Sequence, residues 1–203
     1  MGARDRENRV DHERNTEELL REFDTSKCHI SDDWTRWLIK TSHQLLKQNP
    51  SPALHACSTL TEVYAPLAQD LYCIAFLSCW RQMYPAEKKQ ILLSFEAAKS
   101  APSKTIQVLQ QILNLAEFME LDESEDIKLF SAKTLAAIAE DCNAYAKALY
   151  YWEQEFDNSP RDTVEKLIQT NYQLQQPEAA EGILNYAKKN LLTEDKEDWY
   201  EKL

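Results

Sequence analysis

The chain has 203 residues, 43% of them apolar, which is enough for one sizeable domain or a short array of repeats. Only two residues are glycine, which excludes glycine-rich phosphate-binding loops and argues against β-hairpins. The formal net charge of −11 repels phosphate backbones and argues against a nucleic-acid partner; a basic protein partner remains open, although acidic charge more often serves solubility.

Residues 1–31 are predicted to form a charged, disordered lead-in that holds one short helix, from Thr16 to Phe23. The first fourteen residues are mostly charged or polar, which does not fit a secretory signal peptide. Position 6 is Arg rather than Ser or Thr, so Gly2 does not begin a myristoylation motif. The structured region is therefore predicted to be 32–203.

Proline marks many of the predicted helix starts after residue 31. It has no N–H to donate, and the first turn of a helix offers no partner for one, so proline opens a helix at little cost. The five prolines in this position are Pro52, Pro66, Pro85, Pro160 and Pro177. Polar caps predict the other starts, at Ser31 or Asp32, Ser103, Ser124, Asn143 and Thr193. The result is about ten helices of about 10–19 residues, and short loops make neighbouring helices antiparallel.

Two of these helices indicate how the chain packs. Helix 103–121 carries two apolar rows, which make an arc too wide for packing against a single surface, so neighbours are expected on both flanks. The rows are Ile106, Leu109, Leu113 and Ala116, and Val108, Ile112, Leu115 and Met119. Helix 66–83 is apolar nearly all round and is expected to be fully interior. Its apolar run, Leu71 to Trp80, is too short to span a bilayer.

The last third of the chain contains a repeat with an offset of 32 residues. Ala148 and Ala180 share this offset, as do Trp152 and Leu184. A small residue where two helices cross, with a large one a turn later, is typical of tetratricopeptide pairs, whose period is about 34 residues. The predicted fold class is therefore all-α, a solenoid of antiparallel helix pairs of tetratricopeptide or HEAT type. Residues 193–203 are expected to begin a third pair, which predicts that the chain is part of a longer array.

No catalytic, cofactor-binding or metal-binding residue is predicted. Kinase chemistry needs a glycine-rich loop that this chain cannot form. His55 and Cys57 lie near Cys73 and Cys79 in sequence, but no Cys-x-x-Cys or His-Glu-x-x-His pair occurs, so buried thiols and a surface histidine are the favoured interpretation. An odd number of irregularly spaced cysteines fits a reducing, cytoplasmic compartment.

The acidic run Asp122–Asp126 does not make an EF-hand loop. Read from Asp122, that motif places Ile127 where glycine is required and Lys133 where the bidentate Glu belongs. A solvated loop is therefore expected in this segment.

Aromatic and basic residues leave two interpretations open. Trp34 and Trp37 share a helix face, and core packing is favoured over a contact surface for a neighbouring segment. Lys133, Lys147 and Lys166 are expected to be solvated, the alternative being a concave groove that binds an acidic peptide tail.

Four ordered blocks of sequence resemble the start of the FAT region of target-of-rapamycin (TOR) kinases, which are Ser/Thr protein kinases of the phosphatidylinositol-3-kinase-related family. The blocks are Ser51–Trp80, Ile112–Glu120, Cys142–Phe156 and Leu174–Ala187, and the closing Trp199–Leu203 is similar as well. The resemblance covers residues 32–203, with a divergent loop at 121–129, and residues 1–31 are expected to match nothing in that family.

The resemblance implies a curved, FAT-like array of helix pairs that braces a kinase domain in the same polypeptide. It also implies dimer contacts and contacts with accessory subunits in a growth- and nutrient-signalling complex. No kinase motif lies in this stretch, so no catalytic residue is carried over. The alternative function is that of a free-standing tetratricopeptide-like adaptor or co-chaperone that binds a peptide tail.

Overall fold

The computed structural model describes residues 16–64, 66–121 and 129–190, and within these ranges the chain is all-α without a strand. It divides into two compact units, Met1–Ile127 and Lys128–Leu203. The first unit contains α1 (16–22), α2 (Ser31–Lys47), α3 (Pro52–Thr61), α4 (Pro66–Asp70), α5 (Tyr72–Trp80), α6 (Pro85–Ser100) and α7 (Ile106–Glu120). The second contains α8 (Ala132–Asp141), α9 (Tyr145–Phe156), α10 (Pro160–Gln173) and α11 (Pro177–Asn190).

The proline-marked helix starts are confirmed. Each of the five predicted prolines is the first residue of its helix, in α3, α4, α6, α10 and α11. The rule succeeds because it depends only on the backbone of the first turn, where the missing N–H is not needed.

The polar caps were predicted less well. Helix α7 is capped by Thr105, whose side chain accepts a hydrogen bond from the Val108 N–H, and not by Ser103. Ser103 instead accepts a hydrogen bond from the indole of Trp34, at 3.2 Å. Helix α8 is capped by Ser131, while the predicted cap Ser124 lies outside the described residues. Several polar residues near one boundary compete for the cap, and tertiary partners decide among them.

The predicted helix 66–83 is wrong in its length and in its burial. Leu71 separates α4 from α5, and α5 ends at Trp80. Hydrogen bonds from Leu71 N to Leu67 O (3.0 Å) and from Ala75 N to Leu71 O (2.9 Å) cross the junction, so backbone pairing continues through it. Ile74 is 48% exposed. Apolar content alone does not show where neighbouring helices stop covering a surface.

Helix α7 packs as its two apolar rows predict. It contacts α2, α5 and α6, and every member of the two rows except Ile106 is buried. Ile106 is the first residue of the helix and is half-exposed. The wide apolar arc is thus covered by three neighbours.

The repeat is confirmed in the second unit, where each of the four helices packs against the next in chain order. Asn143 and Gln175, 32 residues apart, both have a left-handed backbone, with φ of 56° and 59°. After each, an N–H reaches back to the carbonyl five residues earlier, from Ala144 to Ala139 and from Gln176 to Asn171. These bonds are the Schellman closures of α8 and α10. Asn143 was predicted as the cap of α9 and instead ends α8.

The short helix predicted from Thr16 to Phe23 is present as α1. Phe23, immediately after it, is fully buried, with its ring 6.0 Å from that of Trp37 and 5.8 Å from that of Phe95. Residues 16–23 therefore contribute to the core of the first unit. The predictions for residues 1–15, for the acidic run and for 193–203 lie outside the described residues, and the domain boundary at 31/32 stays a prediction.

Candidate interaction surface

The two neighbouring tryptophans of α2 are core residues, as favoured from the sequence. Trp34 and Trp37 are 2% and 4% exposed, and their rings meet edge to face at 5.8 Å. Trp37 also meets Phe23 and Phe95 edge to face. Edge-to-face pairs at these distances add to the stability gained by burial. This face of α2 is therefore packing surface and leaves no tryptophan available to a partner.

Three of the five cysteines have thiols whose pKa is raised. All five are free, and burial raises the pKa of the Cys79 thiol to about 12. Burial is also the main cause that raises the pKa values of Cys28 and Cys73. A thiol held protonated at neutral pH is a poor nucleophile and a poor metal ligand.

His55 is exposed, and its Nδ1 lies 2.7 Å from the carbonyl oxygen of Lys47. In the part of the chain that the structure describes, no group of three or more His, Cys, Asp or Glu is placed to hold a metal ion. The expectation that this chain has no catalytic, cofactor or metal site stays a prediction.

A polar cluster joins three helices of the second unit. Glu140, at the end of α8, accepts a hydrogen bond from Trp152 Nε1 in α9 at 2.9 Å. Its other oxygen accepts from Lys166 Nζ in α10, also at 2.9 Å. The Lys166 ammonium lies 5.8 Å from the centroid of the Trp152 ring. One carboxylate thus ties together three consecutive helices.

The three lysines proposed for a peptide groove differ in exposure and in their hydrogen-bond partners. Lys133 is exposed, Lys147 is half-buried, and Lys166 bonds to Glu140. A ligand carboxylate would have to compete with Glu140 for the Lys166 ammonium. This arrangement gives the lysine groove little support.

Helix α3 carries the most unusual surface. Its buried residues are the polar Ser58 and Thr61, and it contains no charged residue. Apolar residues at helical spacing face outward and continue into the turn that follows the helix. We call this stripe the α3 surface, and its members are Ala53, Ala56, Leu60, Val63 and Tyr64.

The α3 surface is one continuous apolar feature. Leu60 is 56% exposed, Val63 90% and Tyr64 59%. Hydrogen bonds from the N–H groups of Val63 and Tyr64 to the Leu60 carbonyl hold these three residues in one turn. Such a stripe can bury apolar side chains of a partner.

Sequence reasoning missed this surface. No prediction was made of which side of helix 52–61 is buried, because periodicity does not show which side of a helix faces in. The signal that was present is the absence of charge over α3 together with small polar residues on its inner side.

No helix among the described residues is long and apolar enough to cross a membrane.

Comparison with known proteins finds relatives for most of the chain, although no family model matches it. It is 43% identical over 187 residues to the serine/threonine-protein kinase tor1 of Schizosaccharomyces pombe, an alignment that covers 89% of this chain. It is 41% identical over 203 residues to the serine/threonine-protein kinase TOR of Arabidopsis thaliana, covering 95% of this chain. It is 39% identical over 179 residues to TOR2 of Saccharomyces cerevisiae, covering 88%.

The chain spans only about 8% of the length of these curated relatives. The alignment that covers 95% of the 203 residues leaves about ten residues outside, so it includes part of 1–31. The expectation that residues 1–31 match nothing in these kinases is therefore wrong.

Proposed function

Because the chain is homologous over most of its length to one segment of the target-of-rapamycin kinases, we propose that it is a non-catalytic helical scaffold segment of a Ser/Thr protein kinase of that type. The observation that carries the proposal is identity of 39–43% over about 90% of the chain to kinases of fungi and a plant. In this proposal residues 32–203 are FAT-like and brace the kinase domain of the same polypeptide.

The helix packing supports a bracing role. Two cores, one centred on aromatic residues and one tied by Glu140, hold consecutive helices together. A scaffold needs such rigidity, because force or position is transmitted only through elements that keep their packing. The proposed partners are the kinase domain of the same polypeptide and accessory subunits of a TOR complex, in the cytoplasm.

Endogenous tagging tests the proposal. A tag is inserted in the codons of the chain at its native locus, and the tagged protein is purified and sized. We expect a polypeptide an order of magnitude longer than this chain, because the chain spans about 8% of its relatives, and we expect that polypeptide to phosphorylate serine or threonine in a peptide substrate. A tagged product of about the mass of this chain, 23.6 kDa, would show the proposal to be wrong.

The alternative, a free-standing adaptor that binds a peptide tail, rests on the 32-residue repeat and the three lysines. The pairing of Lys166 with Glu140 reduces its support. The same experiment separates the two functions, because an adaptor would be recovered as a short protein without kinase activity.

A further inference from the structure

We draw no further inference here: the strongest candidate, the cleft between α1 and α2 that Cys28, Lys40 and the buried Trp37 help to line, carries nothing, because both acidic and basic side chains line it and nothing in the structure shows which ligand they would select or that the unpaired indole N–H of Trp37 faces the cleft.

Discussion

Trp152 Nε1 donates a hydrogen bond to Glu140 Oε1 across 2.9 Å, so the end of α8 is tied to a buried side chain of α9. The second oxygen of the same carboxylate holds Lys166 of α10. A single side chain therefore connects three consecutive helices, and we expect its removal to lower the stability of the second unit.

Glu140→Ala should destabilise the chain by about 1–3 kcal/mol, because it leaves a buried indole N–H without an acceptor. Glu140→Gln keeps an acceptor and loses only a partly exposed ion pair, so we expect it to cost about 0–1 kcal/mol. Urea unfolding followed by far-ultraviolet circular dichroism measures both. Glu153→Ala, at an exposed position of α9, is the control and should be neutral. A cost for Glu140→Ala no larger than that of the control would contradict the role of the cluster.

Phe23→Ala should destabilise the first unit by about 3–5 kcal/mol, because the ring is fully buried and its loss leaves a cavity. Its neighbours Trp37, Phe76 and Phe95 cannot close a gap of that size without leaving their edge-to-face or tilted arrangement. Chemical denaturation, followed by tryptophan fluorescence, measures this loss of stability. Leu121→Ala, at an 81% exposed position, serves as the comparison. If both variants cost the same, residues 16–23 would not belong to the core.

Gln175→Gly should raise the free energy of unfolding relative to Asn143→Gly by about 1 kcal/mol. Both residues have positive φ, which strains a side chain with a Cβ, but Asn tolerates this region better than Gln. The equivalent places of the two residues in the repeat make them a matched pair. Thermal unfolding of the two variants gives the order, and the reverse order would show that the strain at Gln175 is relieved elsewhere.

The carboxylate of Asp33 should stabilise the start of α2 in a pH-dependent way. It accepts hydrogen bonds from the backbone N–H groups of His29 and Ile30, both at 3.1 Å, and these bonds are the main cause that lowers its pKa. Because the folded pKa lies below the usual value of 3.8, the stabilisation is present above that value and is lost as the pH falls through the folded pKa.

Asp33→Ala should therefore lower the melting temperature at pH 7, and the difference from the unmodified chain should shrink as the pH falls below 3.8. Asp32→Ala provides the control, because Asp32 carries a carboxylate in the same first turn of α2 as Asp33. A difference that stays constant across this pH range would exclude the charged carboxylate as its source.

Some features of this protein follow from the sequence because they depend on neighbouring residues alone. The prolines predict five helix starts since the first helical turn needs no N–H, and the scarcity of glycine excludes phosphate-binding loops. The 32-residue repeat predicts the paired helices of the second unit, where α8 and α10 end alike at Asn143 and Gln175 and each helix packs against the next.

Which side of each helix is buried was decided by tertiary structure. Trp34 and Trp37 had two open interpretations until Phe23 and Phe95 were placed against α2. Lys166 was a groove candidate until Glu140, 26 residues earlier, proved to be its partner. The exposure of Leu60 in the α3 surface was not visible from the sequence. A helical period specifies which residues share a face, but only the contacts of that face with distant helices, or their absence, determine whether it belongs to the core or meets a partner.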